Sequence, residues 1–301
     1  MDALKILHRV KEIYEKNENI IGYLKDIEDR KENTIEDILI SYDFQAGSYV
    51  KGYQNNQEKK EAYCDEIASV LNGLGSMDSI LEAGIGEGTT LGPVLNKLHQ
   101  VPKTIVGFDL SWSRIKYAKE FLNEYGYHDI LLTTGDLLEM PVMGNSIDVV
   151  YTSHAVEPNG GKEKEILQEL YRVARKYVVL FEPAYELATE EARQRMVQHG
   201  YVTNLYETAL ELGYSVVEYK LLYSPINPLN PTGVMVIEKK LDERKSDLEN
   251  SVICCPLTKT SLVENNSALF TPKGLLAYPI VKGIPCLLPS NAIIATKFLE
   301  E

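Results

Sequence analysis

Cysteine, tryptophan and basic charge are all scarce in this sequence, and the cysteines are the most informative of the three. The 301 residues include four cysteines, Cys64, Cys254, Cys255 and Cys286, whose spacing is not typical of a disulfide framework. We therefore expect a protein of the reducing cytoplasm. No apolar run is long enough to span a membrane, and residues 1–10 predict an amphipathic helix rather than a signal peptide.

Acidic residues outnumber basic ones, with 44 Asp and Glu against 31 Lys and Arg, for a formal net charge of −13. An acidic chain repels polyanions on average, so a nucleic acid is a poor candidate partner and a small molecule a better one. Hydrophobic residues make up 44% of the chain and charged residues 25%, an ordinary globular composition. The length allows one large domain with additions or two domains, and nothing in the sequence excludes a homodimer.

The hydrophobic pattern predicts three domains. Residues 1–60 predict an N-terminal helical cap, with helix over most of 2–40 and an ordered loop over 41–57. Residues 61–241 predict alternating strands and helices, which is typical of a doubly wound, Rossmann-like α/β sheet. Residues 251–301 predict a small, mainly β domain that follows a charged linker over 242–250.

Five candidate strands form the parallel part of this predicted sheet, and an antiparallel pair closes it. The parallel strands are expected at 79–81, 104–108, 130–133, 147–151 and 177–181. The closing pair is expected at 215–223 and 232–239, after a helix over 189–212 and on either side of a turn over 226–233. Ligands bind such sheets at the carboxyl ends of the strands, so the residues there are the candidates for function.

The first of these strands runs into three alternate glycines, in Ser-Ile-Leu-Glu-Ala-Gly-Ile-Gly-Glu-Gly-Thr (79–89). Gly84 and Gly86 let the backbone turn tightly and approach a ligand closely. Glu82 would repel a pyrophosphate but suits a ligand that carries an ammonium group. A dinucleotide fingerprint would also need glycine in place of Thr89. The motif therefore favours S-adenosylmethionine (SAM) over a dinucleotide.

Two further carboxylates follow the next two strands. Asp109 ends the second strand, where a carboxylate can accept both hydroxyls of a ribose. Asp136 follows the third strand and is placed to accept from an adenine amino group, with Leu137 against the ring. Each has a simpler interpretation, since Asp109 could cap the following helix and Asp136 could be a turn residue. The only tryptophan, Trp112, could pack on the adenine or anchor at the surface.

In their order and spacing, these motifs resemble the class I SAM-dependent methyltransferases, particularly the small-molecule branch known as type 11. The resemblance covers about residues 41–240. It implies that Glu82 and Gly84 lie near the methionine moiety, with Asp109 on the ribose and Asp136 on the adenine. It also implies a segment like 42–49 closing over the cofactor. The cofactor-binding residues expected on this basis are Tyr49, Glu82, Gly84, Gly86, Asp109, Leu110, Asp136, Leu137 and Ser153.

Catalytic residues are expected where the fourth strand ends, in Thr-Ser-His-Ala-Val-Glu-Pro (152–158). Methyl transfer depends largely on positioning and desolvation, and needs a general base only for a hydroxyl or a protonated amine. His154 titrates near neutrality and is the candidate base; the alternative is a structural histidine. Glu157, and also Glu182, could orient an acceptor.

The C-terminal residues carry a second resemblance, in Ile-Cys-Cys-Pro-Leu-Thr-Lys (253–259) and the Tyr-Pro-Ile and Gly-Ile-Pro stretches within 274–289. They resemble the zinc-ribbon-like activator subunit of tRNA, rRNA and release-factor methyltransferases. A zinc site needs four soft ligands, but Thr258 takes the place of one and the second pair is lost around 271–274. We therefore predict a degenerate ribbon without metal, fused to its enzyme.

The sequence thus predicts a cytoplasmic SAM-dependent methyltransferase that methylates an oxygen or nitrogen of a small molecule, such as a sugar or secondary metabolite. The activator resemblance keeps tRNA or a protein open as the acceptor. A catalytically silent SAM-binding scaffold is the alternative from another class. Glu82 and Thr89 disfavour an NAD(P)-dependent enzyme.

Overall fold

A seven-stranded sheet forms the centre of the protein. The computed structural model describes residues 3–30, 33–223, 227, 229–240 and 251–300. The strands are β1 (Ser79–Ala83), β2 (Thr104–Asp109), β3 (Leu131–Thr134), β4 (Ile147–Ser153), β5 (Ala174–Pro183), β6 (Ser215–Leu221) and β7 (Thr232–Glu238). Their order is β3-β2-β1-β4-β5-β7-β6, with β1 to β5 parallel and β7 antiparallel to both its neighbours. The predicted Rossmann-like sheet is confirmed.

The strand order reverses between β1 and β4, where a crevice opens at the carboxyl ends of the strands. Strand β1 lies at the middle of the sheet and is buried along its whole length. Its side chains alternate between two cores, with Ile80 in one and Leu81 in the other. A strand that is buried on both faces fixes the position of the loop that follows it.

Helices cover both faces of the sheet. The described α-helices are α1 (Leu7–Glu15), α2 (Ile20–Glu28), α3 (Ile35–Phe44), α4 (Ser48–Asn55), α5 (Gln57–Gly73), α6 (Leu91–Lys97), α7 (Trp112–Glu124), α8 (Glu163–Val173), α9 (Glu190–His199) and α10 (Leu205–Glu211). Helices α5, α6 and α7 pack on one face, and α8 and α10 on the other. Among these helices, none combines the length and apolar character needed to cross a bilayer.

The N-terminal part contradicts one expectation, because residues 41–57 are not a loop. Helix α3 continues to Phe44, and α4 begins at Ser48 after a tight turn at Gly47, whose φ is 92°. The amides of Gly47 and Val50 both donate to the carboxylate of Glu87, at 2.9 and 2.8 Å. This acid, 40 residues away in the glycine motif, caps α4 from outside, so local sequence gives no sign of the helix.

Two other helical segments are divided more finely than predicted. The helix expected over 2–40 is three, α1, α2 and the start of α3, and Asp29 ends α2 in the left-handed conformation. The helix expected over 189–212 is two, since Gly200 ends α9 with a φ of 70°. A left-handed residue at a helix C-terminus is a common stop signal.

The C-terminal residues form a small antiparallel sheet of five strands, β8 (Val263–Asn265), β9 (Ala268–Thr271), β10 (Leu276–Val281), β11 (Ile284–Pro285) and β12 (Ile293–Ile294). This unit covers the β3 edge of the large sheet. Cys286 forms a parallel bridge with Thr134, and the Leu287 amide donates to Thr134 Oγ1 at 2.9 Å. The Lys259 ammonium also lies 2.9 Å from the Glu169 carboxylate on α8. The predicted linker at 242–250 lies outside the described residues, as does part of the turn over 226–233.

Cys255 and Thr258 lie close to residues 271–274, where the zinc-ribbon resemblance places the second pair of ligands. The Thr258 amide donates to Cys255 Sγ at 3.4 Å, and the Gly274 amide donates to Thr271 Oγ1 at 3.1 Å. A Cβ on Gly274 would lie 3.0 Å from Thr258 Oγ1, so the two halves meet. Within the described part of the chain, no group of three His, Cys, Asp or Glu side chains could hold a metal ion.

We predict that Glu87→Gln lowers the free energy of unfolding by about 1–3 kcal/mol, because a buried amide group cannot replace a carboxylate that accepts two backbone amides. The Glu87 side chain is fully buried. Urea unfolding at pH 7 measures the change. The matched control is Glu120→Gln, whose exposed carboxylate pairs with Lys116; equal effects of the two substitutions would contradict this role.

Candidate active site

A cavity of about 290 Å³ opens at the carboxyl ends of β1, β2 and β4, beneath α3 and α4. Eleven of the residues that the sequence predicted for the site line it, whereas Glu182 and Trp112 do not. The eleven are Tyr49, Glu82, Gly84, Gly86, Asp109, Leu110, Asp136, Leu137, Ser153, His154 and Glu157. Trp112 does not line the cavity; its indole N–H donates to the Val281 carbonyl oxygen at 3.3 Å, which anchors α7 to the C-terminal unit.

The glycine motif is fixed to the ends of two neighbouring strands. The amides of Gly84 and Ile85 both donate to the Phe108 carbonyl oxygen at 2.9 Å, and the Gly86 amide donates to Asp109 Oδ2 at 3.0 Å. Gly84 has a φ of 76°, and a Cβ there would lie 2.3 Å from the Cβ of Ala155. Only glycine fits at this position, because both the backbone conformation and the close approach of the β4 exit exclude a side chain.

Three carboxylates share the cavity without a basic side chain hydrogen-bonded to any of them among the described residues. Burial raises the pKa of Glu82 to about 8, although the Tyr151 hydroxyl donates to its Oε2 at 3.0 Å. Burial also raises the pKa values of Asp109, which accepts the Gly86 and Ser111 amides, and of Asp136. Since charge on these groups is destabilised by burial, the cavity favours a positively charged ligand.

The β4 exit holds a second cluster of titratable groups. His154 has a φ of 54°, and both its ring nitrogens have protein partners: Nδ1 lies 2.7 Å from Glu157 Oε2 and Nε2 lies 2.8 Å from Thr232 Oγ1. Burial alone would lower the pKa of His154, but the hydrogen bond and charge of Glu157 and the charge of Glu182 raise it. The histidine is therefore held in place by its neighbours.

Glu182 joins this cluster to the strand behind it. Its carboxylate accepts the amides of Ala155 and Glu157 at 2.9 and 3.1 Å. Burial raises its pKa to about 7. Glu182 thus shapes the exit loop, whereas Glu157 lines the cavity. The described residues offer no hydrogen-bond partner to Glu157 Oε1, since His154 and Asn230 both bond to Oε2.

Several lining residues were missed by sequence reasoning. Lys60, Tyr63 and Arg114 all face the cavity, and the Tyr63 hydroxyl lies 2.8 Å from Ser153 Oγ. Lys60 and Tyr63 come from α5, where a tyrosine is more often part of the core. Arg114 follows Asp109 by little more than one helical turn, and this spacing was the available signal.

Comparisons with known proteins agree with this geometry. Residues 80–177 match the family model described as a methyltransferase domain. No curated protein matches the chain. Among solved structures, magnesium protoporphyrin IX methyltransferase from Synechocystis PCC 6803, with bound S-adenosylhomocysteine (SAH), is 13% identical with a TM-score of 0.51; the match covers 67% of this chain and 99% of that one.

Two other similar structures have lower scores. One is a SAM-dependent methyltransferase from Aquifex aeolicus, 16% identical over 56% of this chain and 87% of that one, with a TM-score of 0.45. The other is geranyl diphosphate C-methyltransferase from Streptomyces coelicolor A3(2), 11% identical over 58% of this chain and 78% of that one, with a TM-score of 0.46.

The family match within 80–177 and the doubly wound sheet together identify a methyltransferase domain at the centre of this chain.

The buried Glu82 makes stability depend on pH. A folded-state pKa of about 8, against about 4.3 for an exposed Glu, means that the folded protein keeps a proton that the unfolded chain loses. Stability from this group is therefore complete below about pH 4.3 and is lost as the pH rises through about 8. We predict that Glu82→Gln makes the ligand-free protein lose less stability between pH 5.5 and 8.5.

Urea midpoints at pH 5.5, 7.0 and 8.5 measure this difference. The raised pKa of Glu182 makes the same contribution to the pH dependence of stability in wild type and in the variant. The difference between the two proteins therefore reports on Glu82 alone. The matched control is Glu58→Gln, on the exposed side of α5, which should retain the wild-type slope. Parallel curves for wild type and Glu82→Gln would show that Glu82 is ionised in the folded protein.

Proposed function

We propose that this chain is a SAM-dependent methyltransferase that acts on an oxygen or nitrogen of a small-molecule acceptor, such as a sugar or another secondary metabolite, in the cytoplasm. The main support is the cavity, which lies beneath the N-terminal helices and is near the lower end of the size range for small-molecule sites. The net charge of −13 supports an acceptor other than nucleic acid.

The cavity residues fit the cofactor. Glu82 and Gly84 would hold the amino-acid end of SAM, and Asp109 would accept from the ribose hydroxyls. Gly86 would form the backbone turn beside them. Asp136 would accept from the adenine amino group, with Leu110 and Leu137 against the ring and Tyr49 and Ser153 at the edges. The buried carboxylates support this assignment, because they match the sulfonium and ammonium charges and would repel a pyrophosphate. When bound, SAM supplies a methyl group on a sulfonium, ready for in-line displacement.

At the transfer end, Glu157 is the group that meets the acceptor. Its Oε1 is the oxygen left available for a hydroxyl or ammonium proton, since Oε2 is engaged by His154 and Asn230. His154 is a positioning residue, because both of its ring nitrogens are occupied. Thr232 on β7 holds one ring nitrogen of His154, and the other ring nitrogen holds Glu157 in place. The acceptor's proton therefore goes to Glu157 rather than to His154.

The C-terminal unit is an accessory domain that protects the β3 edge, with 1–60, 61–241 and 251–301 as the three domains. An uncovered edge strand is open to pairing with other chains, and the bridge between Thr134 and Cys286 supports the protective role. The contacts among Cys255, Thr258, Thr271 and Gly274 support its origin in a zinc ribbon, with hydrogen bonds where that ribbon has metal.

We predict that Asp109→Asn weakens SAH binding by at least about tenfold, because a neutral amide is a poorer acceptor than a carboxylate for two ribose hydroxyls. Calorimetric titration measures the dissociation constants. Asp129→Asn, on an exposed loop, is the matched control. Unchanged affinity in Asp109→Asn would place the ribose elsewhere, and binding of NAD in preference to SAH would remove the proposed function.

For acceptors found by screening for SAH release, we predict that Glu157→Gln lowers kcat by about 10²–10⁴, as expected when a general base is removed. Steady-state kinetics with SAM and the acceptor measure the effect. The control is Glu165→Gln on the exposed side of α8. An unchanged kcat would contradict the role of Glu157, and SAH binding without turnover of any acceptor would favour the silent scaffold.

A further inference from the structure

Arg114 is a buried cation whose hydrogen bonding is incomplete. Its side chain is 2% exposed, and Nη2 has no hydrogen-bond partner among the described residues. Its Nε donates to the Tyr42 carbonyl oxygen at 3.1 Å. The adjacent carboxylate, Asp109, has its two oxygens engaged by the amides of Gly86 and Ser111. Burial alone would lower the pKa of Arg114, and the charge of Asp109 lies close enough to raise it, but Asp109 forms no hydrogen bond with Nη2. A buried N–H group without an acceptor is costly, so this geometry indicates a missing partner for Nη2.

Two aromatic rings hold the guanidinium in a fixed orientation. Its central carbon lies 4.3 Å from the centre of the Tyr42 ring and 4.2 Å from that of Tyr49. Stacking of this kind favours arginine over lysine and leaves the edge of the guanidinium available for hydrogen bonds. Helices α3 and α4 supply these rings, and the Glu87 contact ties α4 to the glycine motif. Arg114 is therefore oriented before a ligand binds.

The guanidinium lies against the glycine motif and lines the cavity. A Cβ on Gly86 would be 3.7 Å from Arg114 Nη1. The acidic groups of the cavity, Glu82 and Asp136 among them, suit the positive charges of SAM, but the amino-acid end of SAM also carries a carboxylate. Arginine binds carboxylates through two parallel hydrogen bonds, which matches a guanidinium presented edge-on.

We propose that Arg114 binds an anionic group in this cavity, an inference that rests on the proposed function. Its source is either the methionine carboxylate of the cofactor or an acid group on the acceptor. Tyr42 and Tyr49 contribute to binding by fixing Arg114. On this account Tyr49 acts on the ligand through the arginine.

The test compares two ligands that differ in the carboxylate. SAH carries the complete amino-acid end, whereas 5′-methylthioadenosine keeps the adenosine and the sulfur and lacks the amino and carboxyl groups. Dissociation constants are measured calorimetrically for wild type, Arg114→Met and Arg193→Met. Arg193 is the matched control, since its guanidinium also stacks on a tyrosine, Tyr185, and donates to backbone carbonyls away from the cavity.

If the cofactor supplies the anion, Arg114→Met weakens SAH binding by tenfold or more and changes 5′-methylthioadenosine binding by less than about twofold. Arg193→Met changes neither. Retained binding of 5′-methylthioadenosine also shows that the variant is folded. An equal loss for both ligands overturns the proposal, because Arg114 would then support the adenosine site or the fold.

If Arg114→Met changes the affinity for neither ligand, a second titration tests whether the acceptor supplies the anionic group. Inorganic phosphate is titrated into SAH-saturated wild type and into SAH-saturated Arg114→Met. Binding to wild type alone supports an anion site for the acceptor, and equal or no binding overturns the proposal. A wild-type protein that binds neither SAH nor 5′-methylthioadenosine refutes the proposed function itself, which separates the two failures.

Discussion

The placement of buried carboxylates at one end of the sheet is the constraint on which the rest of the site depends. Glu82, Asp109 and Asp136 each end or follow a strand of the parallel sheet, so its geometry brings them to one cavity. Burial there destabilises their ionised forms. Under the proposed function, a positively charged cofactor relieves that cost, so its binding energy and the stability of the protein are linked through the same groups.

The remaining structure serves to hold this acidic end in shape. The glycine motif packs so closely on the β4 exit that Gly84 cannot carry a side chain. Glu87, within the same motif, caps α4 and so joins the N-terminal helices to the cavity. The helices in turn stack two tyrosines on Arg114. Through these contacts the β4 exit and the N-terminal helices, which form two sides of the cavity, are held against the glycine motif.

The sheet, and the meeting of Glu82, Asp109 and Asp136 in one cavity, were predictable because they depend on local pattern. Alternating strands and helices predict a parallel sheet, and the carboxyl ends of parallel strands must meet at one edge. The features that the sequence did not predict depend on contacts between residues that are distant in the chain. The α4 cap comes from Glu87, 40 residues away, and the second partner of His154 is Thr232, 78 residues away. Lys60 forms no part of a motif, so only the folded chain brings it to the cavity, whereas the spacing of Arg114 after Asp109 was a signal in the sequence.

The most direct test of this account is the affinity of wild-type protein for SAM at pH 5.5 and pH 7.0. The α-amino group of SAM, with an ordinary pKa of about 7.7–8.0, stays charged over this interval, so the change reports on the protein. Because Glu82 has a pKa of about 8 and must lose its proton to face the ammonium, affinity should rise with pH, by up to about tenfold per pH unit. An affinity that is independent of pH would show that the buried carboxylate does not bind the cofactor's positive charge.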